Sequence, residues 1–351
     1  MRTSGALLVL LIGCSSQGNV FPKDGGGSPS DSGGQPDQSA PPPSDGGQIF
    51  GDSSASDASG DGGAGTTVYA NTDDTLYSLD PQSNAISLIG AFAGLGGGTN
   101  DTVVTDVAVN SSGEVYVNTP SVVYKATLPT TPPGTVNLSK LASIALQTGQ
   151  RFYALGFTPA GALAAGEVLI GGDNYGELFA IDTTNGSTID LGSFGPDPSH
   201  ATYNFALSGD VVFYVDANQA PTGLATVRPC KPKTTTCLTS DDYLVAVDMT
   251  ALATAYKTAT PAASLLKGIY GGTTTSDGPG TGYADLFGLG VWEGTVFAFA
   301  RKTSTNATPL LLTINTTSGQ GTVVSSSFSF TNGWSGAGVT TSVSVTVPPP
   351  K

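Results

Sequence analysis

The sequence of 351 residues is poor in charged side chains, and most of the few it has are acidic. Asp, Glu, Lys and Arg together make up 11%, against roughly a quarter in ordinary globular proteins. With 13 Lys and Arg against 27 Asp and Glu, the formal net charge is −14. Such a chain offers no basic surface to a phosphate backbone, which argues against nucleic-acid binding.

Histidine and long apolar runs are also scarce. His200 is the only histidine, so a metal centre built from several histidines is excluded. No sequence motif identifies a nucleophilic serine that could act together with His200. The strongest apolar run, residues 6–12, is too short to span a bilayer, which excludes a polytopic membrane protein. The glycine-rich run 94–98 opens no helix, which argues against a nucleotide site.

The first residues have the order of an export signal. A positive charge at Arg2 precedes the apolar run, and Gly13-Cys14 follows it. The sequence Leu11-Ile12-Gly13-Cys14 resembles the lipobox of bacterial lipoproteins. That resemblance implies a signal peptide over residues 1–13, a lipid-modified Cys14 and, from Ser15, transfer to the outer rather than the inner membrane. The side of the membrane is left open.

A tether is predicted to follow over residues 14–65. Between residues 15 and 65 there are 13 Gly, 11 Ser, 6 Pro and 7 Asp, with few large apolar side chains. Such a segment cannot bury enough surface to offset the entropy lost on ordering. We therefore expect a disordered acidic linker, and a docking segment for cations is the alternative.

The remaining residues, 66–351, repeat a short motif. Each copy is a strand ending in a polar turn that starts with Asp or Asn, followed by a second strand; copies lie at 76–90, 178–192 and 311–324, with weaker ones at 122–141 and 243–258. A second kind of hairpin with a glycine turn precedes them, at 104–117, 153–172, 203–215 and 286–299. No helical period of useful length is evident.

Four strands per unit at this spacing are typical of a β-propeller blade. We predict an all-β domain of five four-stranded blades, with six or seven blades or a pair of sandwiches as alternatives. The N-terminal unit has only three strands, so residues 334–339, or the alternating Val343, Val345 and Val347, are expected to close the ring. The repeated Leu-aromatic-x-aliphatic-Asp pattern resembles quinoprotein-like extracytoplasmic propellers.

The predicted site lies where the innermost strands begin. Those strand starts and the two longest irregular stretches, 217–242 and 257–284, are expected on one face of the propeller. This places a ligand or partner site around the channel mouth, at Asp106, Tyr153, Asn204, Asp285 and Trp334. The alternative is that the loops are decoration and the aromatic side chains plug the channel.

The two cysteines left after lipidation, Cys230 and Cys237, predict a disulfide in an oxidising compartment. A metal pair fits less well, because the spacing is not that of a zinc site. Near them, Arg228, Lys231 and Lys233 form a basic island that either meets an anionic partner or is simply solvated.

Together these patterns predict a lipid-anchored β-propeller of the cell envelope. Its expected role is that of a non-catalytic binding or scaffolding module for a protein or glycan, without a cofactor. The alternative is an extracytoplasmic lyase, hydrolase or cofactor-dependent dehydrogenase, which would use carboxylates and Ca²⁺ at the channel mouth. Clustering of Asp106 with Asp285 around a metal would favour the enzyme.

Overall fold

The structure, a computed structural model, describes residues 67–96, 98–234, 236–271, 280–302, 308–328, 330, 333–342, 344–345, 347 and 349–350. Its regular elements are β-strands with one helix, so the predicted all-β class is confirmed. The predicted signal peptide, Cys14 and the tether lie outside the described residues.

The strands come in antiparallel groups in which neighbours along the chain are also neighbours in the sheet. In chain order they are β1 Val68–Asn71, β2 Thr75–Asp80, β3 Ala85–Ala93, β4 Asp106–Val109, β5 Val115–Asn118, β6 Val122–Thr127, β7 Gly134–Ser143, β8 Phe152–Thr158, β9 Val168–Asp173, β10 Glu177–Ile181, β11 Thr188–Ser193, β12 Asn204–Asp216, β13 Pro221–Cys230, β14 Tyr243–Val247, β15 Leu266–Ile269, β16 Leu286–Trp292, β17 Thr295–Ala300, β18 Leu310–Ile314, β19 Gly321–Ser325, β20 Gly336–Val339 and β21 Ser344–Val345. The helix, α1, is Met249–Thr258.

The four-stranded groups are β20-β1-β2-β3, β4 to β7, β8 to β11, β12 to β15 and β16 to β19. The first two are joined into one eight-stranded sheet, because β3 pairs with β7 in parallel from Gly90↔Gly134 to Ala93↔Asn137. A Cβ atom on Gly90 would lie 1.8 Å from the carbonyl oxygen of Gly134. Only glycine permits so close an approach of the two backbones.

The repeated turns have a common cause. Asp80, Asp182 and Asn315 each end the third strand of a group, and each side-chain Oδ1 accepts a hydrogen bond from the backbone N–H two residues later, at 2.8 to 2.9 Å. This local bond holds the chain in the turn and frees the next segment to return as the fourth strand. The predicted hairpins at 76–90, 178–192 and 311–324 are therefore present.

The C-terminal segment supplies the strand that the N-terminal unit lacks. β20 pairs antiparallel with β1, from Val68↔Val339 to Asn71↔Gly336, as the sequence predicts for residues 334–339. Farther along, Val345 lies in β21, which pairs in parallel with the end of β12. The two ends of the domain are thereby held together by main-chain hydrogen bonds.

The first strands of the groups, β4, β8, β12, β16 and β20, contact one another in a closed cycle. The remaining strands of each group lead away from this ring, and buried aliphatic and aromatic side chains pack between neighbouring groups. Radial antiparallel sheets around a closed ring of inner strands are the architecture of a β-propeller.

The prediction of a hairpin at 203–215 is wrong. This segment is a single long strand, β12, whose pairing with β13 is interrupted by a bulge between Leu207 and Val211. Gly209 lies in the bulge, where a Cβ atom would come 1.8 Å from the carbonyl oxygen of Leu286. The glycine therefore allows β12 to approach β16 and does not form a turn.

The weak hairpin predicted at 243–258 is also wrong. Within the weak repeat at 243–258, β14 is followed by α1, and the fourth strand of this group, β15, forms only at Leu266. Oδ1 of Asp248 caps the helix by accepting from the backbone N–H groups of Thr250 and Ala251 at 3.0 Å. An acidic cap before an alanine-rich run is a helix-start signal, which the strand pattern around it obscured.

Candidate functional site

One face of the propeller carries the loops that lead into the innermost strands and the turns that join the second and third strands. We call it the mouth face and its opposite the far face. Of the two long irregular stretches, 217–242 contains β13 and 257–284 contains β15, so the loops proper are shorter than expected. The residues between β13 and β14, and the described residues just before β16, lie on the mouth face, where the N–H of Asp242 donates to the Tyr283 carbonyl at 2.8 Å. The turn between β12 and β13 and the segment between α1 and β15 lie on the far face, so the two stretches do not lie wholly on one face as expected.

Arg228 connects the two mouth-face segments near the centre of that face. Its Nε and Nη2 donate to Oδ1 of Asp242 at 2.9 and 2.6 Å, and Nη2 also donates to Oδ1 of Asp285 at 3.1 Å. Burial opposes the charge of Arg228, but the two carboxylates outweigh it and raise the pKa of Arg228. Burial raises the pKa of Asp242 to about 6, so the pair is ionised at pH 7. This arginine is therefore a fixed part of the fold and not a solvated member of a basic island.

A second arginine, Arg301, joins the last group of strands to the first. Its Nη1 and Nη2 donate to Oδ1 and Oδ2 of Asp73 at 2.7 and 2.8 Å, and Nη1 donates to Oγ of Ser335 at 2.9 Å. The hydrogen bonds with Asp73, aided by the charges of Asp73 and Asp285, raise the pKa of Arg301. Asp285 from the predicted set thus lies within electrostatic reach of this guanidinium, and Tyr153 lies near it as well.

Asn204 lies apart from this centre, beside the disulfide. Cys230 and Cys237 are bonded, which confirms the predicted pairing, and Asn204 is opposite Cys230 in the β12–β13 ladder. A cavity of about 70 Å³ separates β12 from the disulfide loop, and Lys233 also lines it.

Trp334 is fully buried and lies in an aromatic cluster beside the mouth. Its ring packs edge-on against Tyr77, Phe299, Phe328 and Phe330, with centroids 4.6 to 5.5 Å apart. Edge-to-face packing of this kind stabilises the loop before β20. The structure therefore gives Trp334 a packing role and presents none of its surface to solvent.

Asp106 is also fully buried, and it lies in the ring of inner strands with Asp210. Asp106 accepts from the backbone N–H groups of Leu155 at 2.6 Å and Ala337 at 3.0 Å, while Asp210 accepts from that of Leu289 at 2.7 Å. The two carboxyl groups lie close enough to influence each other's ionisation. They thereby connect all the inner strands, since these partners belong to β8, β20 and β16.

Asp106 and Asp210 retain a proton between them because both acids are buried. Burial, and then the charge of Asp210, raises the pKa of Asp106 well above the usual range, and burial raises that of Asp210. Two carboxylates without solvent cannot both ionise at low cost, so the pair holds a proton. Asp106 does not join Asp285, whose carboxylate contacts Arg228.

The space between the inner strands is narrow where a cavity lies between them. The cavity bounded by β4, β8, β12 and β20 has a volume of about 10 Å³, the size of one water molecule at most. Among the described residues, no group of three or more His, Cys, Asp or Glu side chains is arranged to hold a metal ion. The polar groups open to a ligand at this end are therefore those on the mouth face itself.

Sequence reasoning missed the polar residues that end the second strands. Asn71 and Asn118 occupy equivalent places, and their Nδ2 groups donate at 3.3 Å to the carbonyls of Val104 and Phe152 in the next group of strands. The signal was present, because both strands read Val-Tyr-x-Asn. The partners of Arg301 carried no such local signal, since Asp73 lies 228 residues away in the chain.

Comparison with protein-family models and with curated proteins finds no match. Among solved structures, a protein of unknown function from Bacteroides caccae is 11% identical over 78% of this chain and 98% of its own, with a TM-score of 0.36. The Dos1 propeller is 11% identical over 72% of this chain and 54% of its own, with a TM-score of 0.34.

The extracellular domain of a putative one-component system from B. thetaiotaomicron is 12% identical over 67% of this chain and 25% of that one, with a TM-score of 0.32. These scores are too low to carry an argument. The assignment to the propeller architecture accordingly rests on the strand order and the closed inner ring of this chain.

Proposed function

We propose that this chain is a lipid-anchored, five-bladed β-propeller of the cell envelope that binds a protein or glycan through its mouth face, without catalysis. The five blades are the five antiparallel groups of strands. The observation that carries the proposal is the paired network at the mouth, in which Arg228 and Arg301 are held by the carboxylates of Asp73, Asp242 and Asp285. Preorganised, neutralised polar groups on a rigid face suit recognition.

An enzyme would need a cavity that surrounds its substrate and acids or bases free to exchange protons. At the mouth face the carboxylates of Asp73 and Asp242 are instead engaged by arginines, and Asp106 accepts main-chain N–H groups from two other strands. The arrangement therefore favours binding over catalysis.

The envelope location is supported by the resemblance to a lipobox and by the disulfide, which needs an oxidising compartment. No helix in the described part of the chain has the length and apolar character needed to cross a membrane. We place the protein at the outer membrane, with the acidic tether between the lipid and the propeller.

Replacing Cys14 by Ala is expected to abolish incorporation of labelled palmitate in growing cells, because the thiol is the proposed site of acylation. The measurement is the label in the immunoprecipitated chain. Ser15→Ala is the matched control and should keep its label. An unchanged signal in Cys14→Ala would refute the lipid anchor.

The mouth face is tested by photo-crosslinking in intact cells. Benzoylphenylalanine replaces Tyr153 on the mouth face or, as the control, Tyr256 in α1 on the far face, in the full-length chain. We expect a discrete adduct with a protein or glycan only from position 153, and about a tenfold loss of it with Asp285→Asn. No adduct, or equal adducts from both positions, would contradict binding at the mouth.

A further inference from the structure

A large cavity lies on the far face, away from the proposed binding face. We call it the far-face cleft; its volume is about 760 Å³. It lies between α1 and the turn joining β12 to β13, with the end of β14 as its floor. Small-molecule sites are typically roughly 300 to 1,000 Å³, so the cleft is large enough for one ligand.

The floor and one wall of the cleft are apolar. Met249 and Ala253 lie one helical turn apart on α1, and Lys257 follows them on the same face. Ala246 and Val247 of β14 form the floor. These side chains offer a strip of apolar surface that ends at a lysine.

The cleft is cationic although the chain has a net charge of −14. Lys257 and Lys267 both line it and are both exposed, and no ion pair to either lysine occurs among the described residues. The carboxylate that also lines the cleft, Asp216, is occupied within its own turn, where Oδ1 accepts from the N–H groups of Asn218 and Ala220 at 2.8 Å. Its negative charge is outnumbered by the two lysines, so the net charge of the lining is positive.

We propose that the far-face cleft binds an amphiphilic monoanion, such as a medium-chain carboxylate. The apolar body of the ligand lies along Met249, Ala253 and Val247, and its carboxylate is met by Lys257 and Lys267. Two neighbouring ammonium groups attract an anion, and a ligand that lacks the apolar part would leave the strip of α1 exposed. This site is independent of the mouth face, so either proposal can fail without the other.

The test is calorimetric titration of decanoate, below its micelle concentration, into the full-length Cys14→Ala chain, which carries no acyl group that would compete. We expect saturable binding of one decanoate per chain, and binding of the uncharged 1-decanol about tenfold weaker or absent. Lys257→Gln/Lys267→Gln should weaken decanoate binding about tenfold or more.

The matched control is Lys231→Gln/Lys233→Gln, which removes the same charge from the disulfide loop on the mouth face and should leave decanoate binding unchanged. Ala253→Trp, which fills the cleft without changing charge, should abolish binding while the melting temperature is kept. Equal weakening in both lysine pairs, binding that survives Ala253→Trp, or binding of an acidic hexapeptide in place of decanoate would overturn the proposal.

Discussion

Replacing Asp106 by Ala is expected to lower the free energy of unfolding by roughly 3 to 6 kcal/mol. The substitution leaves the buried backbone N–H groups of Val107, Leu155 and Ala337 without their acceptor. Each such orphaned donor costs about 1 to 3 kcal/mol. Part of this is offset because a buried carboxyl group is removed as well. Denaturant unfolding measures the change.

Asp182→Ala is the control for this experiment. Asp182 also accepts a backbone N–H, from Thr184, but it does so in an exposed turn where water replaces the lost bond. We expect a loss of about 1 kcal/mol or less. Equal losses in the two variants would contradict the role assigned to Asp106 as the connection between inner strands.

The buried pair Asp106 and Asp210 also determines how the stability of the folded state depends on pH. Because burial raises the pKa of Asp106 and Asp210, the folded state holds a proton that the unfolded state releases above about pH 4. The stabilisation is therefore complete below that pH and is lost as the pH rises towards the folded-state pKa. Asp173 and Asp242, whose pKa values burial raises to about 6, act in the same direction between pH 4 and 6.

We accordingly expect the melting temperature to be higher at pH 5 than at pH 8. Asp210→Asn removes one of the two interacting carboxyl groups and should flatten this dependence, whereas Asp182→Asn should leave it unchanged. A melting temperature that rises from pH 5 to pH 8, or a slope unaltered by Asp210→Asn, would show that no proton is shared in the inner ring.

The sequence predicts the repeated hairpins well because their information is local. Asp80, Asp182 and Asn315 bond to backbone only two residues away, so the turn chemistry can be recognised without knowing the fold. The closing strand is predictable for a related reason, since a unit with three strands has an open edge that must be covered. Both features follow from rules that apply within one repeat.

What sequence reasoning misses depends on contacts between repeats. The bulge at Asp210 is held by Thr226, whose Oγ1 accepts from the N–H of Asp210 and donates to the carbonyl of Leu286 on another strand. Nothing near Gly209 distinguishes this bulge from a hairpin turn. In the same way, the sequence shows Asp106 at the start of an inner strand and Trp334 shortly before one, but their complete burial depends on contacts with other groups of strands.

The second large effect that we expect is a rise in the free energy of unfolding when a disulfide joins β1 to β20, the two strands that close the ring. Val68 on β1 and Val339 on β20 are register partners, and both are buried. A disulfide in Val68→Cys/Val339→Cys would close a loop of roughly 270 residues, which in the chain-entropy model stabilises the folded state by about 5 kcal/mol. The stabilisation arises because the bond restricts the unfolded chain while the folded ends already meet.

The most direct test of the closed propeller is whether this bond forms in the native chain. Cross-linking is measured by peptide mass mapping without reduction, with Val68→Cys/Val323→Cys as the control, since Val323 is exposed on the outermost strand of the neighbouring blade. We predict nearly complete cross-linking for the first pair, none for the control, and a marked rise in melting temperature. Absence of the 68–339 bond, or its formation no more readily than the control, would contradict the account of a ring closed by its C-terminal strand.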